Sequence, residues 1–173
     1  MSQMIDFTLP SCQPGRTLHA FRCVPEGRVR AVLQLSHGMV EFIDRYKPLA
    51  EHLAGQGILV TGHDHLGHGA SISSPENLGY FADRDGWMHV SNDTRTLQIM
   101  TERQFPGLPY VLFGHSMGSF LTRTYLIRFP GTVSAAVLCG TGQMRRTTLA
   151  AGRAAAAAEA RRADRGQRGQ HQQ

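Results

Sequence analysis

Residue types able to do chemistry gather at three points of the chain. The sharpest is Gly114-His115-Ser116-Met117-Gly118, a G-x-S-x-G run. It sits directly after apolar Tyr110-Val111-Leu112-Phe113 and directly before a helical stretch. A strand that turns into a helix through such a run lifts the serine hydroxyl clear of the sheet. The residues two places to either side must be small, because strand and helix crowd together there. The chemistry on offer is nucleophilic attack by Ser116, with the dipole of the following helix directed at developing negative charge. The bland alternative, an ordinary strand–turn–helix connection holding an incidental serine, is disfavoured by that context. The second point is His37-Gly38-Met39-Val40-Glu41, after the apolar run Ala31-Val32-Leu33-Gln34-Leu35. An oxyanion needs two backbone N–H groups converging on one oxygen. Met117, next to the serine, and Met39, third in the loop, are the expected donors, and their side chains are irrelevant to that task.

The third point is His63, His65 and His68, crowded into six residues. The spacing H-x-H-x-x-H resembles the zinc-binding run of metallo-β-lactamase-type hydrolases. That run carries Asp before its third histidine, where Gly67 stands here, and no second ligand cluster follows. The preferred reading is structural: Asp64 and the histidines brace loops by hydrogen bonds, and no metal or other cofactor is expected. His115 receives a neighbouring-loop role, since adjacent side chains on a strand point apart.

A serine nucleophile needs a histidine base, and the base needs an orienting acid. After Ser116 the acids are Glu159 and Asp164 and the histidine is His171. All three lie in an Ala/Arg/Gln-rich tail with no strand before them. None is assigned a triad role.

The elements that must position these groups follow from periodicity and breakers. Residues 3–9 and 17–24 read as two antiparallel-type strands, broken apart by Pro10-Ser11 and Pro14-Gly15. The run 31–35 reads as a buried strand. Tyr46, Leu49, Ala50, Leu53 and Ala54 form a helical stripe, with Asp44 as the expected cap and Gly55 and Gly57 at the end. A strand at 58–61 follows, then a stripe of Val90, Thr94, Leu97 and Thr101. After these come a strand at 110–113, a helix over 116–129 and a strand at 133–138. Strands alternating with helices imply a parallel α/β sheet, whose functional groups gather at the strands' carboxyl ends. The three chemical points lie at such ends.

Taken together, His37-Gly38-Met39, the stretch from Gly62 to Ser71 and Gly114–Gly118 resemble the monoacylglycerol lipase and lysophospholipase branch of the α/β-hydrolases, over residues 17–143. The resemblance implies an α/β-hydrolase fold, a mostly parallel sheet with flanking helices. It also implies a carboxylic-ester hydrolase for lipid-like glycerol esters, with Ser116 as nucleophile, Met39 and Met117 as oxyanion donors, and no cofactor. Arg45-Tyr46 also matches, with Tyr46 read as packing and Arg45 as a surface or loop-bracing charge. The family's triad acid and histidine each follow a late strand beyond a mobile lid, and this chain reaches only the start of that lid. Residues 1–143 are therefore read as the N-terminal portion of the domain, lacking its C-terminal strands. Residues 144–173 are read as the start of the lid, or as a truncated or out-of-frame segment. The missing strands would leave the strand at 133–138 uncovered and prone to self-association. Leu78–Trp87 is a candidate for the mouth of the site.

The 173 residues suit one domain. The net charge of +5 resides in the tail, where seven arginines face two acids, so the remainder balances to zero and gives no reason to expect a nucleic-acid partner. No stretch is apolar for the ~20 residues a membrane span needs. Three cysteines, Cys12, Cys23 and Cys139, make no disulfide framework and fit a reducing, cytoplasmic location. The competing readings are a non-catalytic fragment or pseudo-enzyme acting by binding, a zinc hydrolase and, weakest, a basic-tail nucleic-acid binder.

Overall fold

The computed structural model describes residues 2–143 and 145–170, without the side chains of residues 160 and 163–170. His171 lies outside the described residues, as does the side chain of Asp164. The chain divides into two compact units, residues 1–141 and 142–173.

The first unit is a six-stranded sheet in the order β1-β2-β4-β3-β5-β6. Strands β1 (Gln3–Pro10) and β2 (Thr17–Val24) form an antiparallel hairpin, and β2 pairs antiparallel with β4 (Ile58–His63). Strand β3 (Ala31–Ser36) lies between β4 and β5 (Tyr110–His115) and runs parallel to both; β6 (Ala135–Cys139) adds parallel to β5. The chain leaves β3 toward β4, then jumps back over β3 to reach β5. That reversal opens a crevice at the carboxyl ends of β3 and β5, the place where open α/β sheets hold ligands.

The pleat of β2 shows how both faces are filled. Leu18 and Ala20 join Leu9, Leu66, Val90, Leu97, Met117 and Leu121 on one face. Phe21 and Cys23 join Leu35, Ile43, Ala50, Ala54 and Val60 on the other. Helix α1 (Lys47–Ala54) covers the second face, and α2 (Gly86–Gln104) and α3 (Met117–Arg128) cover the first. The stripe Val90, Thr94, Leu97, Thr101 is buried as its spacing implies.

Two expectations need correction. Asp44 does not cap α1: a 3₁₀ turn over Ile43–Tyr46 precedes that helix, whose N-cap is Tyr46. The Asp44 carboxylate instead meets His19 at 3.0 Å and Lys47 at 3.2 Å. Leu49, assigned to the apolar stripe of that helix, is 37% exposed, while Ala50 and Ala54 are buried and Tyr46 and Leu53 pack partly against the same core.

Every residue of β6 is exposed, and among the described residues no strand follows it. The second unit is the single helix α4 (Arg146–Gln170), longer than the Ala-rich run 150–163 alone suggests. Alanine and arginine favour helix along its length.

Candidate active site

Strand β5 ends at His115 and α3 begins at Met117, so the whole reversal is made by Ser116. Its backbone takes φ +50° and ψ −117°, outside the regions open to an ordinary L-residue. Neighbours hold it there. Ser116 N–H donates to Cys139 O on β6 at 2.9 Å, and Ser119 Oγ donates to Ser116 O at 2.6 Å. The close approach requires glycine on both sides. A Cβ on Gly114 would run into Gly118 O and Thr122 Oγ1, and one on Gly118 would run into the Ser36 carbonyl. The Ser116 side chain is half-buried, and among the described residues nothing hydrogen-bonds to its hydroxyl.

The loop after β3 lies against the serine: a Cβ on Gly38 would stand 3.2 Å from Ser116 Cβ. Its peptide planes are pinned from below. His37 Nδ1 lies 2.8 Å from Gly38 O, and a carbonyl only accepts, so Nδ1 carries the hydrogen. The Gly38–Met39 peptide is trans, so its N–H points opposite to its C=O. Turning Gly38 O inward onto His37 therefore turns Met39 N–H outward, away from the buried ring. The other His37 nitrogen, Nε2, accepts the backbone N–H of His65 at 3.0 Å. The bracket needs a neutral ring, and burial drives the His37 pKa down to about 4, against the raising effect of the Gly38 bond. The 4.0 Å approach of His37 Nε2 to Asp64 is therefore a contact with a neutral ring and not an ion pair. Val40, a β-branched residue at φ +59°, completes a tight turn and stands 88% exposed.

Glu41 is the hub of this loop, and residue reading alone missed it. Its Oε2 accepts Gly38 N–H at 2.9 Å, Tyr46 O–H at 2.9 Å and His115 Nδ1 at 3.3 Å, and Arg45 approaches Oε1 at 3.7 Å. Burial works to raise the Glu41 carboxyl, but the bonds from Gly38, Tyr46 and His115 outweigh it and leave the pKa lowered. Tyr46 thus does more than pack: it donates to Glu41 as well as meeting Phe113 edge-on. Burial and the Glu41 carboxylate push its phenol well above the usual range. Arg45 and His115 take the loop-bracing roles expected of them. The signal available in the sequence was an acid three residues after Gly38, the reach at which a carboxylate folds back onto a loop amide.

Asp64 and the histidines brace the neighbouring loop. The Asp64 carboxylate accepts Ile43 N–H at 2.6 Å and Ala70 N–H at 2.7 Å, tying the loops after β3 and β4 together. Burial nevertheless raises its pKa. His65 Nε2 meets His37 O at 3.2 Å, and burial holds the His65 ring well below its ordinary pKa. His63 is fully buried with neither ring nitrogen partnered, and burial brings it down to about 3. His37 and His65 lie tilted with centroids 4.1 Å apart and His63 meets His65 edge-on, and among the described residues these nitrogens do not form a metal-sized cluster. Among the described residues the convergent donor set is Asp6, His19 and Asp44, and the Lys47 ammonium already sits 2.8 Å from Asp6 and 3.2 Å from Asp44.

A cavity of about 680 Å³ opens onto the serine. Met39, Val40, Leu78, Phe81, Trp87 and Phe120 line it, with His68, Ser116 and Met117 at its floor. The segment 78–87 thus supplies four of its lining residues, Leu78, Gly79, Phe81 and Trp87. Ser116, Met39 and Met117 come together on one cavity, while Glu159 belongs to the second unit.

Residues 27–165 match the family described as serine aminopeptidase, S33. The chain is 35% identical over 116 residues to a monoacylglycerol lipase of Mycolicibacterium smegmatis, an overlap covering 67% of this chain and 39% of that one. It is 35% identical over 116 residues to the human monoglyceride lipase, covering 66% and 36%. Among solved structures, a thermostable carboxyl esterase from Bacillus coagulans in complex with glycerol superposes with a TM-score of 0.76 at 31% identity, covering 82% of this chain and 46% of that one. An epoxide hydrolase from Vigna radiata, at 20% identity and a TM-score of 0.62, shares the fold. The chain spans less than half the length of these relatives.

Proposed function

Because the chain belongs to the serine aminopeptidase S33 family of α/β-hydrolases, we propose that it carries the nucleophile half of a carboxylic-ester hydrolase for lipid-like glycerol esters, monoacylglycerol or lysophospholipid. One observation carries the reading: the half-buried Ser116 hydroxyl stands at the floor of an apolar cavity of about 680 Å³. An acyl chain leaves no polar group unpaired in such walls. A peptide would leave backbone N–H and C=O groups without partners, at about 1–3 kcal/mol each. The acyl chain therefore fits better than the peptide substrate that the family's description names.

In the proposed reaction Ser116 Oγ attacks the ester carbonyl carbon and the alcohol leaves. The N–H groups of Met39 and Met117 receive the charge that develops on the carbonyl oxygen. The outward turn of the Met39 amide, set by the His37–Gly38 bond, supports its role. Proton removal from Ser116 needs a base, and among the described residues no histidine engages it. Loss of that base can lower turnover about 10⁶-fold. The 173-residue polypeptide is accordingly near-inactive toward p-nitrophenyl butyrate. A turnover number within tenfold of an ordinary esterase, abolished by Ser116→Ala, overturns that statement.

Binding without turnover is the second reading, favoured by the same unengaged hydroxyl. The coding sequence downstream separates the two: two further strands carrying Asp and His make the complete product a hydrolase. The three unpaired thiols support a reducing, cytoplasmic location. No described helix is long and apolar enough to cross a membrane.

A further inference from the structure

We infer that His68 Nε2 is the hydrogen-bond acceptor for a hydroxyl on the alcohol portion of the bound ester, which makes the preferred ligand an ester of a neutral polyol. The inference rests on the ester-hydrolase reading above. His68 and Ser116 are the polar side chains that the cavity presents, apart from the Trp87 indole, whose N–H is taken by Thr124 at 2.9 Å. The orientation of the His68 ring follows from its anchor. Nδ1 lies 2.9 Å from Leu66 O, and since a carbonyl only accepts, Nδ1 carries the hydrogen. In the tautomer with its single hydrogen on Nδ1, Nε2 carries none and is an acceptor. The ring is clamped between His37, at 5.4 Å between centroids, and Phe81, at 5.8 Å, so it cannot readily turn to exchange the two nitrogens.

Nε2 has no protein partner, yet it is not one of the sealed polar atoms left unpaired; those include both nitrogens of His63 and Nδ1 of His65. His68 is only 4% exposed, and that small opening is onto the cavity it lines. A lone acceptor in an apolar wall selects a donor. The acyl chain and the ester carbonyl have none, so the donor belongs to the alcohol portion. The cavity lining carries no carboxylate, which leaves an ammonium donor without a counter-charge and favours a neutral hydroxyl.

Trp87 is the only tryptophan of the chain and stands in the cavity wall, so its fluorescence reports occupancy. Below their aggregation concentrations, 1-octanoylglycerol and methyl octanoate share an acyl chain and differ in the hydroxyls. In the full chain His68→Phe is expected to weaken octanoylglycerol about tenfold and methyl octanoate less than twofold, while His68→Gln, which keeps an acceptor, recovers most of the loss. Equal weakening of both esters, or of neither, overturns the inference and leaves the ester site standing. Failure of the unaltered chain to bind either ester removes the site and the inference together. If the variants do not fold, the ¹⁵N resonance of His68 Nε2 in the unaltered chain decides. A shift on adding octanoylglycerol but not methyl octanoate supports the role, and no difference between the two overturns it.

Discussion

The carboxyl ends of β3, β4 and β5 and the edge strand β6 lie in the same sheet but are built on opposite terms. Around the first, the loop amides and carboxylates are paired with one another, although both His63 nitrogens and His65 Nδ1 are not. Asp64 takes two loop amides, Glu41 takes an amide, a phenol and an imidazole, and His37 bridges Gly38 O to His65 N–H. Among the described residues strand β6 pairs with β5 alone, and Val137 and Leu138 are 46% and 38% exposed. The two regions meet along the β5–β6 ladder and, at its end, through the bond from Ser116 N–H to Cys139 O. The lesson is that the cavity beside Ser116 is assembled around central strands, whose order is fixed by buried contacts.

The largest expected break in the comparison is acidification. Unfolded, each histidine takes a proton near pH 6.5. Folded, His37 resists to about 4 and His63 to about 3, and His65 is also held well below its ordinary value. A depressed histidine contributes its full stabilisation above about pH 6.5 and loses it as pH falls toward its folded value. The raised Asp64 and Asp93 carboxyls act in the reverse sense, favouring the folded form as they take up protons, and so soften the bottom of that window. The urea midpoint should fall steeply from pH 7.5 to pH 5. A flat midpoint over that range would mean that the histidines are hydrated.

Next comes the elbow itself. Gly118→Ala forces a methyl group into the Ser36 carbonyl, a backbone atom that cannot swing aside, and should cost about 3 kcal/mol or more in denaturant unfolding. A loss under about 1 kcal/mol would show that strand and helix stand further apart than described.

A smaller effect tests the hub. Glu41→Ala strands Gly38 N–H and the Tyr46 hydroxyl, for an expected loss of about 2 kcal/mol. Tyr46→Phe removes one of these bonds and should lose less than about 1 kcal/mol. Equal losses in the two variants would assign the stability to Tyr46 packing and not to the carboxylate.

The smallest change in folding energy belongs to the edge. We propose that β6 drives self-association, so that Leu138→Lys shifts the chain toward monomer in sedimentation while leaving the urea midpoint within about 0.5 kcal/mol. A sharp monomer peak and cooperative melting in the unaltered chain would remove the proposal.

Much of this was legible before any coordinates. The small residues at 114 and 118, the apolar run before them and the helix after them are local requirements of one sharp turn, and local requirements leave local marks. The stripe of α2 was legible for the same reason. Glu41 was not, because its importance depends on three partners, two of them in other elements, converging on one oxygen. The misplaced cap at Asp44 has a related cause. An acid ahead of a helix suits a cap by rule, but His19 on a neighbouring strand and Lys47 made the better partners.

By itself the sequence determined which residue is lifted out of the sheet and which residues must stay small around it, since steric crowding at a reversal involves only near neighbours. Tertiary structure alone decided that β3 lies between β4 and β5, that the Gly38 carbonyl turns inward onto His37 and that His68, anchored on Leu66 O, comes to line the cavity. Each of these is an orientation set by atoms distant in the chain, and burial makes it binding, because a polar group sealed from water must find its partner inside the protein.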